Sequence, residues 1–126
     1  MIGTLEHIGI TVKNLDKALK FYSEILGFPI LSRKENQELK VAYAQIQIGQ
    51  SKLEILSPIE GEPSSPTPPE KGMEGVGVKI REMTGLNHLT IRVDDMEAIF
   101  ERLESKGIRF ILEPRLTGTG SKIAFF

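Results

Sequence analysis

The chain has 126 residues, of which 40% are apolar and 26% are charged, so its composition is that of one globular domain rather than of a disordered chain. Its 16 basic and 17 acidic residues nearly cancel and no segment is strongly basic, which argues against nucleic acid as a partner. Cysteine is absent, which excludes disulfides, thiolate metal sites and a cysteine nucleophile, and any imidazole chemistry must use His7 or His88.

The first predicted element is a strand that occurs twice in the chain. Residues 5–12 (LEHIGITV) align with residues 86–93 (LNHLTIRV), with Leu, His, Ile and Val at matching places. Such self-similarity indicates a duplicated structural module. Because apolar residues alternate along both segments, each is predicted to be a strand.

A helix is predicted after each of these strands. Apolar residues fall at helical spacing over residues 15–26 in the first copy and 96–103 in the second. Residues suited to capping flank both segments: Asn14, and Asp94 or Asp95, as N-caps, and Gly27 and Gly107 as helix stops.

Two further strands follow each helix, at 28–31 and 40–44 in the first copy and at 108–112 and 122–126 in the second. The first copy continues to one more strand at 52–56, for which the second copy has no counterpart before Phe126. The predicted fold class is α+β, with two tandem βαβββ modules forming a curved mixed sheet around a cavity and the second module lacking its last strand. Either the product is truncated or the second module is incomplete. An unpaired sheet edge favours association into a homodimer.

The predicted domain organisation is a single domain, 1–126, with module one at 1–57, a Pro/Gly-rich connector at 58–85 and module two at 86–126. Five of the seven prolines lie in the connector, which is predicted to be an extended surface loop, either a lid or a plain linker. Alternating Val76, Val78 and Ile80 indicate one more short strand within it.

Strand alternation predicts which side chains share a face of the sheet. The apolar side chains of each strand face the helices, so His7, His88 and Glu54 are expected on the opposite, polar face. Two imidazoles and a carboxylate suit a divalent cation such as Zn, Ni, Co or Mn. A strand Glu such as Glu54 is as often an ordinary surface residue, whereas two His at equivalent places of a repeat favour a shared site.

The duplicated module resembles the vicinal oxygen chelate (glyoxalase/bleomycin resistance/dioxygenase) superfamily, and most of all its methylmalonyl-CoA epimerases and glyoxalase I enzymes. The resemblance is based on EHIGITVKNLD at 6–16, the segments KLEILSP at 52–58 and GLNHL at 85–89, and on EPRLTGTGSKIAF at 113–125. It covers nearly the whole chain outside the connector, where epimerases have a short helix that this Pro-rich stretch is not expected to form.

The resemblance implies one divalent metal ion held by His7, Glu54 and His88. The fourth family ligand, a Glu on the eighth strand that is commonly also a base, would lie beyond Phe126. A gap-free match with the epimerases places a catalytic base at Glu38, sixteen residues before Glu54, although Glu35 is near and an exposed loop carboxylate is the plainer interpretation.

The leading functional hypothesis is a metal-dependent isomerase or lyase that abstracts a proton alpha to a carbonyl and stabilises the resulting enediolate with the metal. Its substrate would be a small molecule, an acyl-CoA or a glutathione adduct. An Fe(II) extradiol-type dioxygenase and a non-catalytic, antibiotic-sequestering protein are the alternatives. The segment 1–6 lacks a signal-peptide pattern and no stretch has transmembrane length, so a cytoplasmic protein without a membrane partner is expected.

Overall fold

The structure is a computed structural model of the chain. It describes residues 6–63, 70–82, 88–117 and 120–126, with the backbone alone for 78–82. The chain divides into two compact units, Met1–Ser65 and Pro66–Phe126, and the boundary between them lies within the predicted connector.

The first unit has the βαβββ order that the sequence predicts. Its elements are β1 (Ile8–Thr11), α1 (Leu15–Leu19) continuing into a π-helical segment (Lys20–Ile25), β2 (Ile30–Asn36), β3 (Val41–Ile48) and β4 (Ser51–Pro58). The strands form one sheet in the order β1-β4-β3-β2, in which β1 runs parallel to β4 and the other neighbours are antiparallel. The mixed pairing follows from the connections, since tight turns join β2, β3 and β4 whereas a helix intervenes between β1 and β2.

The core of the first unit lies between α1 and one face of this sheet. The buried side chains are Leu15 and Leu19 from the helix, Ala44 and Ile46 from β3, and Leu53 and Ile55 from β4. Each fully buried aliphatic side chain stabilises the fold by roughly 1.5–3 kcal/mol. The alternation predicted for β3 and β4 is therefore confirmed, and it leaves the intervening polar residues on the opposite face.

The helix of the first unit begins and ends where the sequence predicts, but its second half is wider than an α-helix. The Asn14 side chain accepts a hydrogen bond of 2.9 Å from the Lys17 backbone N–H and so caps the first turn. Near the end the Leu26 N–H bonds to the Phe21 carbonyl, an i to i+5 pattern. Gly27 then has φ +86°, the left-handed conformation that ends a helix. Periodicity alone gave no sign of the π-helical turn.

The second unit contains two helices and a two-stranded antiparallel sheet. Its elements are α2 (Gly72–Glu82), α3 (Met96–Ser105), β5 (Leu112–Leu116) and β6 (Lys122–Phe125). The Asp95 side chain caps α3 by accepting a 3.0 Å hydrogen bond from the Ala98 N–H, which decides between the two predicted caps. Buried Leu103 and an edge-to-face cluster of Phe100, Phe110 and Phe126, with successive ring centroids 4.8 and 5.5 Å apart, form its core.

Residues 88–93, predicted as part of the first strand of the second module, lie outside every strand that the structure assigns. Their burial nevertheless alternates with the strand period: Leu89, Ile91 and Val93 are half-buried, and the three residues between and before them are exposed. The sequence therefore predicted the facing of these side chains but not the hydrogen bonding of their backbone, which depends on a neighbouring strand.

The connector prediction was wrong at residues 76–80, which lie in helix α2 and not in a strand. Val76 is buried within this helix, so the burial of its side chain does not require a strand. The connector thus does contain a short helix, because the prolines precede it and leave its hydrogen bonds intact. Gly75 is required there, since an added Cβ would lie 2.1 Å from the Glu70 carbonyl oxygen.

The architecture as a whole is mixed α+β, as predicted, with the predicted βαβββ order in the first unit and only α3, β5 and β6 as the corresponding elements of the second. In the described part of the chain, no helix is both long enough and apolar enough to cross a bilayer.

Candidate metal centre

The candidate site lies on the polar face of the four-stranded sheet. Glu54 in β4 stands beside Gly9 of β1 on one side and Gln45 of β3 on the other. Side chains at paired positions project from the same face of a sheet, so this row crosses the middle of the polar face. His7 immediately precedes β1 and is two residues from Gly9, which places it on the same face.

His7 and Glu54, two of the three predicted metal ligands, are in contact. His7 Nε2 lies 3.6 Å from Glu54 Oε2. Two ligand atoms about 2.1 Å from one ion at the tetrahedral angle are about 3.4 Å apart, so this spacing fits two ligands of a common cation. The donor set, one imidazole nitrogen and one carboxylate oxygen, also suits Zn, Ni, Co or Mn.

Gln45 fixes the Glu54 carboxylate in place. Its Nε2 donates a 2.9 Å hydrogen bond to Glu54 Oε2, the oxygen that faces His7. The Glu54 side chain is only 18% exposed, against 36% for His7. A half-buried carboxylate needs such a partner, because removing it from water without one is unfavourable. The hydrogen bond therefore holds the oxygen where a cation shared with His7 would bind.

The other ring nitrogen of His7 contacts a second carboxylate. Nδ1 is hydrogen-bonded to Glu6 Oε2, and Glu6 Oε1 accepts a hydrogen bond from Lys52 Nζ. The Glu6 contact raises the pKa of His7 above its usual value, and the charge of Glu54 adds to this effect. Lys52 and then His7 lower the pKa of Glu6, so it is ionised at neutral pH.

Gly9 leaves open space beside Glu54. A Cβ added at this position would meet only Leu56 Cδ1, at 3.6 Å, which is an ordinary van der Waals contact. At the β1 position paired with Glu54, the polar face therefore carries no side chain beyond hydrogen. This gap provides room for a ligand close to the His7–Glu54 pair.

His88, the third predicted ligand, belongs to the second unit. It is exposed, at the start of the 88–93 segment, and its ring packs edge-to-face against Phe125 of β6 with centroids 6.2 Å apart. Among the described residues of the first unit, no three His, Asp or Glu side chains converge closely enough to hold a metal ion. The structure thus brings together His7 and Glu54, and the contribution of His88 stays a prediction.

Glu38, the predicted base, lies in the turn between β2 and β3 and is exposed. Neither a hydrogen bond nor an ion pair joins it to His7 or Glu54. It lies two residues after Asn36 and three before Val41, which form the final pair of β2 and β3 before the turn. A strand advances about 3.3 Å per residue, so the backbone from Gln45 to Val41 alone spans about 13 Å if it is straight.

The sequence analysis did not identify Glu6, Lys52 and Gln45 as part of the site. Strand alternation places Gln45 on the polar face, but its pairing with Glu54 depends on the register of β3 and β4. The same holds for Lys52, which lies two residues before Glu54 on the same face. The Glu6–His7 dipeptide was a usable signal, because a carboxylate next to a ligand His is a common means of orienting the ring.

The chain is similar to several known proteins. The sequence profile of the Glyoxalase/Bleomycin resistance protein/Dioxygenase superfamily matches residues 4–126. The chain is 29% identical over 125 residues to the mitochondrial methylmalonyl-CoA epimerase of Homo sapiens, covering 99% of this chain and 66% of that protein. It is also 29% identical over 122 residues to the lactoylglutathione lyase of Haemophilus influenzae, covering 95% of this chain and 80% of that one.

A solved structure shows the same fold. The glyoxalase family protein from Enterococcus faecalis superposes with a TM-score of 0.74 at 26% identity, covering 96% of this chain and 86% of that chain. The chain spans 66% of the length of the human relative, so the activity of the longer protein does not follow from the match alone. Because the profile extends over both modules, the chain belongs to the Glyoxalase/Bleomycin resistance protein/Dioxygenase superfamily.

Proposed function

We propose that the protein is a metal-dependent isomerase or lyase that moves a proton on the carbon next to a carbonyl. His7, Glu54 and His88 would hold one Zn, Ni, Co or Mn ion. The observation that supports this proposal best is the 3.6 Å approach of His7 Nε2 to Glu54 Oε2 on the polar face of the sheet. Relatives named as an epimerase and as a lactoylglutathione lyase support the same reaction class.

The competing interpretation of the His7–Glu54 contact is an ion pair between an imidazolium and a carboxylate. Exposed pairs of this kind contribute little to stability, so stability alone gives no strong reason for the arrangement. Two features favour a metal site over an ion pair. Gln45 holds the Glu54 oxygen with a hydrogen bond, and Gly9 leaves space at the paired position of β1.

The chain's own residues account for binding and orientation in this mechanism. His7, Glu54 and His88 provide the ligands, Gln45 holds the Glu54 carboxylate, and the gap at Gly9 admits the substrate. The cation would supply a Lewis acid that polarises the substrate carbonyl and makes the adjacent proton more acidic. Removing that proton and returning it to the opposite face of the carbon epimerises a 2-acyl thioester. Returning it to the neighbouring carbon completes a lactoylglutathione lyase reaction.

Glu38 is our candidate for the group that carries the proton. A carboxylate is suited to this role when its pKa is tuned by its surroundings. The role requires the β2–β3 turn to lie over the substrate, because Glu38 is not in contact with the His7–Glu54 pair. Glu35, on the same hairpin, is the control position: Glu38→Gln should stop proton exchange while Glu35→Gln should not.

The test begins with metal content. Protein purified without a histidine tag should contain about one equivalent of zinc, nickel, cobalt or manganese. Iron would instead favour the dioxygenase, and the absence of any bound or bindable cation would favour a binding protein. Glu54→Ala should lose the ion, whereas Glu62→Ala, a change at an exposed Glu of the same unit paired with Lys13, should retain it.

The reaction is then tested with two substrates in deuterated water. Exchange of the alpha proton of methylmalonyl-CoA for deuterium would establish epimerase-type chemistry. Conversion of the hemithioacetal of glutathione and methylglyoxal would establish lyase-type chemistry. Loaded protein that neither exchanges the proton of methylmalonyl-CoA nor converts the hemithioacetal would refute the proposal. A homodimer and a cytoplasmic location remain predictions, to be checked by light scattering and by cell fractionation.

A further inference from the structure

A chain of three side chains reaches the back of the His7 ring. Lys52 of β4 donates to one oxygen of Glu6, and the other oxygen of Glu6 is hydrogen-bonded to His7 Nδ1. The remaining ring nitrogen, Nε2, points to Glu54. Neither Glu6 nor Lys52 is one of the proposed ligands. At the proposed cation site, both would therefore act through His7.

A neutral imidazole has one ring nitrogen that donates and one that accepts a hydrogen bond or binds a cation. The hydrogen bond made by one ring nitrogen determines which of the two nitrogens is protonated. An ionised carboxylate accepts hydrogen bonds only, so Glu6 beside Nδ1 stabilises the proton on Nδ1. The lone pair then lies on Nε2, which faces Glu54.

We propose that Glu6, anchored by Lys52, is a positioning residue that keeps the His7 proton on Nδ1 and directs the Nε2 lone pair toward a cation shared with Glu54. This inference rests on the proposed function. Lys52 and Glu54 lie two residues apart on the same face of β4. One strand therefore carries both the residue that anchors Glu6 and the ligand proposed to share the cation with His7. The Glu6 side chain is 59% exposed, and the fold therefore tolerates its replacement.

The first measurement is made on the full chain without metal, so it is independent of any activity. Long-range nitrogen–proton NMR spectra distinguish the two imidazole tautomers at a pH where His7 is neutral. The chain has only two His residues, and a His88→Gln variant assigns their signals. We expect His7 to be protonated on Nδ1 in the parent protein and to shift toward protonation on Nε2 in Glu6→Ala.

Three further variants separate positioning from mere loss of a charge. A Gln side chain has one oxygen, for which Lys52 and His7 would compete, so the neutral variant is the double change Glu6→Gln with Lys52→Met. It keeps an oxygen acceptor for Nδ1–H and should retain the parent tautomer. Glu62→Ala removes an exposed carboxylate of the same unit that contacts Lys13 and should change nothing. Lys52→Met releases the far oxygen of Glu6 and should give a spectrum between those of the parent and Glu6→Ala.

The second measurement is cobalt(II) affinity by calorimetry. Loss of an outer partner of a ligand His weakens metal binding by about 10- to 100-fold, so Glu6→Ala should fall in this range. Glu6→Gln combined with Lys52→Met should recover most of the affinity. An unchanged tautomer and affinity in Glu6→Ala would overturn the inference while leaving the metal site intact. A parent protein that binds no cobalt would instead overturn the proposed function, even if the tautomer responded to Glu6.

Discussion

The two units of the molecule start from matching sequences and reach different structures. In the first, the strand that follows His7 pairs with β4, and a four-stranded sheet sets His7, Glu54 and Gln45 side by side. In the second, residues 88–93 have the same alternation of burial but are assigned to no strand, and β5 pairs only with β6. The difference shows that the local sequence determines which way a side chain faces. Bringing candidate ligands together requires, in addition, a paired neighbouring strand.

The largest expected effect comes from removing the equivalent His of each unit. His7→Ala should weaken cobalt(II) binding by more than about 100-fold, beyond the range expected for an outer partner, because a ligand itself is lost. If the sequence repeat reflects a shared site, His88→Ala should weaken binding to the same extent. Calorimetry on both variants decides the question, and unchanged affinity in His88→Ala would confine the ion to the first unit.

Core substitutions test whether the units fold together. Ile55→Ala in the first unit and Leu103→Ala in the second each remove a buried side chain and should lower the free energy of unfolding by about 2–5 kcal/mol. Both tyrosines, Tyr22 and Tyr43, lie in the first unit and there is no Trp, so tyrosine fluorescence reports on that unit alone.

Urea unfolding followed by fluorescence and by far-UV circular dichroism therefore distinguishes two outcomes. For the predicted single domain, both variants should shift both signals together. A Leu103→Ala variant whose fluorescence transition matches the parent would show that the units unfold independently, and the single-domain prediction would then be wrong.

The helix caps are the feature that the two units share most closely. Asn14 and Asp95 each accept a hydrogen bond from the backbone N–H three residues on, at 2.9 and 3.0 Å. Asn14→Ala and Asp95→Ala should each lower the free energy of unfolding by about 1 kcal/mol. Thermal unfolding of both variants checks this, with Asp94→Ala as the control, since Asp94 does not cap the helix. Equal losses for Asp94→Ala and Asp95→Ala would contradict the cap assignment.

The smallest effect concerns the titration of His7 in the metal-free protein. The contact with Glu6 raises the pKa of His7, so NMR titration should place it above the usual value of 6.5. A raised pKa means that the interaction stabilises the folded state fully below the unfolded pKa. The stabilisation is lost as the pH rises through the folded pKa. Glu6→Gln removes the carboxylate charge and should lower the pKa of His7. A pKa unaffected by this change would mean that the contact is not formed in solution.

The sequence predicted side-chain facing well because facing depends only on the period of two in a strand. Leu53 and Ile55 point to the helix and Glu54 points away, as expected. The caps at Asn14 and Asp95 were predictable for a similar reason, since a cap acts within one turn of its own helix. Hydrogen bonding between distant segments was not predictable: it decides that Gln45 lies beside Glu54 and that Lys52 reaches Glu6.

The helix at 72–82 is a case in which the prediction from local sequence was itself wrong. Val76, Val78 and Ile80 satisfy the strand period over a run too short to exclude a helix, and three Gly residues in the segment lower its helix propensity. The backbone of Glu70 approaches Gly75 so closely that no other residue fits. The alternation of apolar residues and the low helix propensity therefore both argued against the helix that forms.

At Gly9, a larger side chain would affect the proposed ligand site more than the fold. Its neighbour across the strands is Glu54, yet an added methyl group would touch only the Leu56 side chain at an ordinary distance. Changes at this position would alter the width of the opening without disturbing the hydrophobic layer beneath the sheet. In the proposed site, the residue here is thus a place where design can change which molecules are admitted while the scaffold persists.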